Sequence, residues 1–475
     1  MYMRERKRVA CVVPPFYRLI ESKNNRITPA MHYMAEVLYR RGHEVIFING
    51  DYADDSHDYA ERLSMTLNSW LFDERYKNGH QSFEEVIKIL EDFRPDVVFL
   101  GASDVLMPTV EIGSTQSCSY LAKRIKEDLG SQITCVGYGH LLKYAKERDL
   151  KDLDVVITGE GEEFAAEIVE GDLKGKVPIS WCKDMDALPI LTGEYLYHPA
   201  KAEDWDYIMS MRGCPGRCTF CQQPTLRGYN VSTMLPERFI RELRYRIEKI
   251  GVKGFYFTDM IFSPGLGPRT TEMFNRLIAL KEDYPEFNWW AEARVDTATN
   301  REIVEKMKHS GCRHLKFGVE MGNQDMLNVV KKGTSLKEVQ AAFALASEYR
   351  IEKTAYVLLG CPGFTDEDYR NMWYFFKELK AENYVININV PYLGTEIYEQ
   401  VKGKLHEYGL FKDGEESLVH TSLIMKDFWG ISDETINMYF SLQGKKDDSA
   451  VRKYRRKIVD KKRYNESREI VYTLE

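Results

Sequence analysis

The stretch MRGCPGRCTFC, Met211–Cys221, places three cysteines within eight residues, directly after a strand-like run. Thiolates at this density suit zinc or an iron–sulfur cluster. A structural zinc site needs four closed ligands, and no fourth Cys or His lies near the stretch. Three thiolates leave one iron of a four-iron cluster open to a small molecule. Cys214, Cys218 and Cys221 are therefore candidate ligands of a [4Fe–4S] cluster, with a zinc site or a purely electron-transfer cluster as the alternatives.

Alternating strand and helix patterns surround this stretch. The predicted strands are Tyr207–Met211, Phe255–Thr258, Asn288–Ala291, His314–Val319, Thr354–Leu359 and Val385–Val390. The predicted helices are Pro236–Ile250, Arg269–Tyr284, Asn300–His309, Leu336–Tyr349 and Asp366–Ala381. Six βα units in series predict a partial (β/α)6, TIM-like barrel with its chemistry at the carboxyl ends of the strands. We assign residues 205–400 to this barrel and residues 401–475 to a C-terminal helical region.

The N-terminal part shows a second α/β pattern. Its predicted strands are Arg8–Pro14, Glu44–Asn49, Asp96–Leu100, Ile133–Gly137 and Val155–Thr158, and its first predicted helix is Ala30–Arg41. This alternation predicts a doubly wound, Rossmann-like sheet over residues 1–170, followed by a linker over residues 171–204. Ligands of such sheets bind outside the carboxyl ends of the strands, where Pro- and Gly-rich loops follow in this chain.

Composition narrows the class of protein. The 475 residues include 66 Lys and Arg against 73 Asp and Glu, a net charge of −7, which argues against bulk electrostatic binding of nucleic acid. No apolar run approaches the ~20 residues of a membrane span. The N-terminus lacks the pattern of a signal peptide, so we expect a cytoplasmic protein. Nine cysteines in such a chain predict metal ligands or reactive thiols rather than a disulfide framework.

The cysteine stretch resembles the signature of the radical S-adenosylmethionine (SAM) superfamily, Cys-x3-Cys-x2-Cys, with Phe220 at its aromatic position. Motifs at the following strand ends, FYFTDMIF, AEARVD and GCRHLKFGVE, resemble those of the same superfamily. The resemblance implies that SAM chelates the open iron and is reductively cleaved to a 5′-deoxyadenosyl radical. It also implies SAM contacts at Phe220, Asp259, Arg294 and Glu320.

The N-terminal pattern resembles the cobalamin-binding domain of one large radical SAM subfamily, the class B methyltransferases. The match rests on VVPP, FRPDVVFLGAS, GYGH and ITGEGEEF. One departure is Tyr138, which replaces the second glycine of a Gly-Gly loop. The cobalamin contacts implied by the resemblance are Pro14, Ser103, Gly137, Gly139, Gly159, Glu160 and Gly161.

The combined resemblance predicts a cobalamin-dependent radical SAM enzyme that methylates an unactivated carbon of a small molecule or natural product. A flavodoxin- or ferredoxin-type protein would donate the electron, and no catalytic residue is assigned. The alternatives are a radical SAM dehydratase, epimerase or cyclase, a methylthiotransferase, and a non-catalytic iron–sulfur electron-transfer protein. A methylthiotransferase carries a second N-terminal cluster, for which Cys11, Cys118 and Cys135 are poorly placed.

Overall fold

The computed structural model describes residues 5–20, 25, 29–54, 70–101, 111–171, 173–177, 181–198, 205–262, 267–407, 422–442, 457–459 and 472–474. The chain divides into two compact units. Unit 1 comprises residues 1–182, 188–201 and 446–475, and unit 2 comprises residues 183–187 and 202–445. Among the described residues, no helix is long and apolar enough to cross a membrane.

The described part of unit 1 contains a parallel sheet of six strands. They are β1 (Arg8–Val13), β2 (Glu44–Asn49), β3 (Val97–Gly101), β4 (Thr134–Tyr138), β5 (Val155–Ile157) and β6 (Gly175–Val177). Their spatial order is β2-β1-β3-β4-β5-β6. This is the flavodoxin-like order, in which the strand sequence reverses between β1 and β3 and leaves a crevice there for a ligand. The predicted doubly wound sheet is confirmed.

Helices cover both faces of this sheet. They are α1 (Pro29–Arg40), α2 (Trp70–Asn78), α3 (Gln81–Phe93), α4 (Glu111–Arg124), α5 (Glu147–Leu150) and α6 (Ala165–Val169). Because side chains alternate along a strand, Val9 and Cys11 pack in one core with α1 and α6. Ala10 and Val12 pack in the other core with α3 and α4. Burial on both faces explains why these strands read as continuous apolar runs.

Two regions differ from their sequence predictions. The segment predicted as a linker over residues 171–204 contains β6, and Leu196 forms an isolated parallel bridge with Phe47 of β2. The predicted helical C-terminal region contains an antiparallel pair of strands, β15 (Lys457–Val459) and β16 (Tyr472–Leu474). Residues 457–459 and 472–474 of that region are therefore strands and not helices. Ile458 and Val459 are β-branched residues, which favour strands once a partner strand is available.

Unit 2 is built on a second parallel sheet. Its strands are β7 (Trp205–Ile208), β10 (Gly254–Phe257), β11 (Asn288–Ala293), β12 (Cys312–Glu320), β13 (Glu352–Leu359) and β14 (Asn383–Ile388). They follow one another in the order β14-β13-β12-β11-β10-β7, as expected for a partial barrel. Between β7 and β10 lies a short antiparallel hairpin, β8 (Met211–Arg212) and β9 (Ser232–Thr233). The predicted (β/α)6 barrel is confirmed.

The helices of unit 2 lie between and after these strands. They are α7 (Gln223–Arg227), α8 (Pro236–Tyr245), α9 (Pro268–Asp283), α10 (Arg301–His309), α11 (Gln324–Val329), α12 (Leu336–Glu348), α13 (Asp366–Leu379), α14 (Glu396–Glu407), α15 (Ser422–Trp429) and α16 (Asp433–Ser441). Phe257 of β10 packs against Phe239 of α8, and Phe317 of β12 packs against Phe343 of α12. Residues that alternate with Phe257 and Phe317 therefore face away from these helices, toward the barrel lumen.

Candidate cofactor-binding site

The loop that carries the three cysteines begins at Gly213, directly after β8. Gly213 has φ +88°, a conformation that residues with a Cβ rarely adopt. A Cβ there would also lie 2.1 Å from the carbonyl oxygen of Asn230. The buried Arg227 holds Arg212 and Asn230 together. Its Nη1 donates to the carbonyl oxygens of both residues, each at 2.7 Å. The start of the loop is thus fixed by a glycine and by a buried arginine that the sequence analysis did not single out.

The three thiols differ from the other cysteines in exposure. Cys214, Cys218 and Cys221 are half-buried, whereas the six remaining cysteines are buried. The amide of Gly216 donates to Cys214 Sγ at 3.3 Å, and a Cβ at residue 216 would lie 3.2 Å from that sulfur. Burial raises the pKa of all three thiols, to about 12 for Cys221. Metal binding must therefore displace protons from this loop.

The geometry of the thiols discriminates between kinds of metal centre. Within the described ranges, no three His, Cys, Asp or Glu side chains converge on a point where one ion would sit. A mononuclear zinc site requires such convergence. A four-iron cluster binds each thiolate on a different iron, so three thiols spread along one loop suit it. A larger residue in place of Gly216 would fill the space beside the Cys214 sulfur, which a cluster needs. These residues fit the predicted [4Fe–4S] cluster.

A cavity of about 720 Å³ adjoins the cysteine loop. Its lining comes from the loop itself, from residues after β11, and from α11 and the residues that follow it. They are Pro215, Gly216, Arg217, Arg294, Asp296, Leu327, Asn328, Lys331, Lys332 and Gly333. This volume lies in the usual range for small-molecule and cofactor sites. Four of the ten lining residues are basic and one is acidic, which suits a ligand with a carboxylate.

Arg294, the predicted partner of the SAM carboxylate, lines this cavity. Its Nε donates to both oxygens of Asp296, at 3.2 and 3.0 Å. Its two terminal nitrogens make long bonds, at 3.5 and 3.3 Å, to the carbonyl oxygens of Lys332 and Gly333. The guanidinium is thus oriented through Nε, while the two nitrogens that form its fork face the loop that follows α11. Such a fork matches the geometry of a carboxylate.

Glu320, the predicted ribose contact, ends β12 in a left-handed conformation with φ +64°. The register between β12 and β13 shifts at this point, so the residue sits in a β-bulge. Its carboxylate accepts a hydrogen bond from Lys332 Nζ at 2.8 Å, and both side chains are nearly buried. Burial alone would lower the pKa of Lys332, but Glu320 and Cys218 outweigh it and the pKa is raised. A cation is therefore held beside the cysteine loop.

Asp259 and Phe220 are not among the residues that line the cavity. Asp259 follows β10 and is 1% exposed, and its carboxylate is occupied by groups of residues 210 and 211. Phe220 is half-buried within the loop, between Cys218 and Cys221. Of the four predicted SAM contacts, the structure brings Arg294 to the cavity and Glu320 to a cavity lysine. The SAM contacts of Asp259 and Phe220 stay predictions.

A polar and aromatic layer lies inside the barrel, on lumen-facing residues of β7, β10, β11, β12 and β13. Glu292 Oε1 accepts hydrogen bonds from the hydroxyls of Tyr256 and Tyr356, at 2.8 and 3.1 Å. The ammonium of Lys316 lies 4.2 Å from the ring centroid of Tyr256. Tyr207 packs against the same ring. We call Tyr207, Tyr256, Glu292, Lys316 and Tyr356 the lumen layer. Sequence alternation alone could have placed them on one face, but not their mutual contacts.

In unit 1, the residues predicted to contact cobalamin follow the strand ends but have packing roles of their own. A Cβ at Gly137 would lie 2.6 Å from Leu153 Cδ1, and one at Gly161 would lie 2.9 Å from the Tyr138 ring. Glu160 is buried, and its carboxylate accepts the amide hydrogen of Cys182 at 2.6 Å. Tyr138, which replaces the second glycine of the Gly-Gly loop, is itself part of the core.

The remaining residues of this group are less informative. Pro14, Gly139 and Gly159 are buried after β1, β4 and β5. Ser103 lies outside the described residues. Asp51, which no sequence pattern singled out, is buried after β2 and accepts the amide hydrogens of Phe16 and Arg18, at 2.6 and 3.1 Å. Asp51 thereby holds the loop that follows β1, where the strand order reverses. The cobalamin contacts stay predictions.

A parallel barrel with a three-thiolate loop beside a basic cavity defines a cluster-binding, SAM-type class of protein, and comparison with known proteins agrees. Residues 208–372 match the model of the radical SAM superfamily. These residues of the chain therefore form a radical SAM domain. It is 24% identical over 343 residues to an uncharacterised methyltransferase of Pyrococcus horikoshii, covering 67% of this chain and 72% of the relative.

Two further proteins extend the likeness to most of the chain. The hopanoid C-3 methylase of Methylococcus capsulatus is 27% identical over 378 residues, covering 74% of this chain and 69% of the methylase. The radical SAM methyltransferase TsrM of Kitasatospora setae, solved with cobalamin and a [4Fe–4S] cluster, matches with a TM-score of 0.57 at 15% identity. That match covers 84% of this chain and 76% of TsrM, and it indicates a shared fold.

Proposed function

We propose that this protein is a cobalamin-dependent radical SAM methyltransferase that acts on an unactivated carbon of a small molecule. The observation that carries the proposal is the three-thiol loop beside a basic cavity, in one chain with a sheet of flavodoxin-like order. The names of the relatives, a hopanoid methylase and the cobalamin-binding TsrM, support the same chemistry. When bound, the cluster and SAM supply a 5′-deoxyadenosyl radical, and cobalamin supplies the methyl group.

The residues of unit 2 would bind and orient the first two cofactors. Cys214, Cys218 and Cys221 hold the cluster as thiolates. Arg294 offers its guanidinium fork to the SAM carboxylate. Glu320 accepts from the SAM ribose and keeps Lys332 in place beside the loop. Because Glu320 and Lys332 neutralise each other, their charges can be buried together without a large net field on the cofactor.

The residues of unit 1 would bind cobalamin at the strand ends. The crevice between β1 and β3 is the place where ligands of such sheets bind. Pro14 borders it directly, and Asp51 fixes the loop that follows. Gly137, Gly139, Gly159, Glu160 and Gly161 would shape the floor through their packing. Ser103 belongs to the same predicted set.

The lumen layer would meet the substrate. Glu292 Oε2 accepts no hydrogen bond from the described residues, so it is available to a donor group of a ligand. The neighbouring Lys316 makes the layer electrically neutral in sum, which favours a neutral hydroxyl or amide over an ammonium group. The layer lies near Arg294 along the chain, since Glu292 is near the end of β11 and Arg294 follows that strand directly. A substrate held there would lie next to SAM.

The reaction needs an electron from outside the chain. We propose a flavodoxin- or ferredoxin-type donor, which supplies single electrons at low potential to such clusters. A reducing compartment also keeps the loop thiols from forming disulfides, so we place the protein in the cytoplasm.

The test is product analysis with anaerobically purified, iron-reconstituted protein. We expect about four irons per chain, absorbance of bound hydroxocobalamin, and formation of both 5′-deoxyadenosine and S-adenosylhomocysteine. The two products report radical generation and methyl transfer separately. Deoxyadenosine without S-adenosylhomocysteine would instead indicate a dehydratase, epimerase or cyclase. Absence of cobalamin binding would refute the cobalamin part of the proposal.

A further inference from the structure

Both carboxylate oxygens of Asp259 accept hydrogen bonds from the chain just before the cysteine loop. Its Oδ1 accepts the amide hydrogens of Ser210 and Met211, at 2.6 and 2.8 Å. Its Oδ2 accepts the hydroxyl hydrogen of Ser210 at 2.6 Å. The side chain is 1% exposed and does not line the cavity. A carboxylate bonded in this way has little capacity left for the ammonium group of a ligand.

Ser210 and Met211, the partners of Asp259, lie directly before the cysteine loop, so the contacts affect how that loop is held. Ser210 lies in the turn between β7 and β8, and Met211 begins β8, three residues before Cys214. The carbonyl oxygen of Ser210 is held as well, because it accepts the amide hydrogen of Met234 at 2.8 Å. Arg269 Nη2 donates to the same oxygen at 3.3 Å. The turn is therefore fixed from β10, from β9 and from α9.

Charge balance explains why a carboxylate can be buried at this turn. Burial raises the pKa of Asp259 to about 6, and its three hydrogen bonds and Arg269 oppose the rise. The carboxylate thus remains ionised at neutral pH although it is cut off from water. Such an arrangement is costly unless every oxygen is satisfied, which is the case here.

We propose that Asp259 is a positioning residue that aims the cluster loop, and that it does not bind SAM. Through Ser210 and Met211 it sets the direction in which the chain leaves β7 and so the position of Cys214. The SAM ammonium group must then find its partner elsewhere in the cavity. The inference rests on the proposed function, because it concerns how the predicted cluster and SAM are held.

Two substitutions at residue 259 separate the two roles. Asp259→Asn keeps Oδ1 for both amides and can donate from Nδ2 to Ser210 Oγ, but it removes the charge. Asp259→Ala removes the clamp altogether. Outer partners of metal ligands typically contribute about 10- to 100-fold to metal affinity. We therefore expect Asp259→Ala to lose roughly 10-fold in cluster occupancy at limiting iron, and Asp259→Asn to load and to bind SAM as the unaltered protein does.

Asp366 supplies a matched control within unit 2. Its carboxylate accepts the amide and hydroxyl hydrogens of Ser432, at 2.8 and 2.9 Å, at the start of α13. Asp366→Ala therefore removes the same kind of clamp at a place remote in sequence from the cysteines. It should lower the melting temperature and leave iron content unchanged. Iron per chain, the paramagnetic resonance spectrum of the reduced cluster, and a SAM titration of that spectrum are the measurements.

The outcomes decide between the roles. If Asp259→Asn keeps the cluster but binds SAM about 10-fold more weakly, the carboxylate is a SAM ligand and the proposal is wrong. It is also wrong if Asp259→Ala loads iron as Asp366→Ala does.

If Asp259→Ala does not fold, Ser210→Ala decides between the two roles. Loss of its one bond should reduce occupancy about fivefold, and normal occupancy would overturn the proposal. A cluster that ignores SAM in the unaltered protein would contradict the proposed function instead, and the iron comparison would still stand.

Discussion

The two units hold the loops at their strand ends in different ways. In unit 2, Asp259 and Arg227 bond the backbone of residues 210–212, just before the cysteine loop, which leaves the three thiols available to a ligand. In unit 1, Gly137 and Gly161 lie against the side chains of Leu153 and Tyr138. The comparison shows that one loop is built as a scaffold for ligating side chains. The other is built as a close-packed surface on which a flat ligand could rest.

The largest effect should come from the thiols themselves. Replacing Cys214 with alanine removes one of three cluster ligands, so we expect the iron content and the cluster absorbance to be lost almost completely. Cys182→Ala, at a buried cysteine of unit 1, should retain both. Chemical iron analysis and the spectrum of the reduced protein measure the difference. Retention of a full cluster in Cys214→Ala would remove the basis for the unit 2 scaffold.

The next effect concerns Gly213, where strain and lack of space combine. Gly213→Ala should destabilise unit 2 by about 2 to 5 kcal/mol, from the left-handed conformation and the clash with Asn230. Gly251 has a similar φ of +83°, and nothing lies within 4 Å of the site of its Cβ. Gly251→Ala should therefore cost only about 1 kcal/mol. Denaturant unfolding of both variants measures the difference, and equal losses would show that Asn230 can move aside.

A smaller effect should distinguish packing from ligand binding at Gly137. Gly137→Ala should cost about 1 to 3 kcal/mol, because its Cβ overlaps Leu153. In a double-mutant cycle, Leu153→Ala should offset part of that loss. If Gly137 serves packing alone, hydroxocobalamin affinity should recover together with stability. If affinity stays low in the double variant while stability recovers, the glycine contacts the cofactor directly.

The last effect is a pH dependence from Asp51, which is small when measured per pH unit. Burial raises the pKa of Asp51 to about 7, above its usual value near 4. The folded state therefore binds this proton more tightly than the unfolded state. Its contribution to stability is greatest at low pH and falls as pH rises from about 4 to 7. The slope is at most about 1.4 kcal/mol per pH unit.

Asp51→Asn should remove that slope. The pH dependence of local stability is measured by hydrogen exchange at several pH values, in peptides that cover β1 and the following loop. The rates are corrected for intrinsic exchange. The matched comparison is Asp366→Asn. The pKa of Asp366 is lowered, so its contribution to stability is lost as pH falls. The same slope in the unaltered protein and in Asp51→Asn would show that another group titrates.

Much of the architecture could be predicted because its signals are local. The strands of both sheets are buried apolar runs, and the spacing of Cys214, Cys218 and Cys221 predicts a cluster at these residues. Other features depend on contacts between distant residues. Lys332 was missed because only the fold brings it to Glu320, and the bulge at Glu320 leaves no mark in the sequence. The β15–β16 pair was missed because a short strand is stable only with its partner.

Asp259 shows how a correct motif can give an incomplete role. Its place after β10 was predicted, and the resemblance assigned it to SAM. The structure adds the bonds to Ser210 and Met211, which no pattern of residue types could reveal. In unit 1, Gly137 and Gly161 were predicted as ligand contacts because glycines line such loops. In the structure, a side chain at residue 137 would clash with Leu153, and one at residue 161 would clash with Tyr138.

The central claim is that the loop of unit 2 holds a cluster with an iron that SAM can bind. The most direct test is the paramagnetic resonance spectrum of the reduced, iron-reconstituted protein before and after SAM is added. The account predicts one [4Fe–4S] cluster per chain whose signal changes on SAM binding and disappears in Cys214→Ala. A signal that SAM leaves unchanged would contradict it and would indicate an electron-transfer cluster.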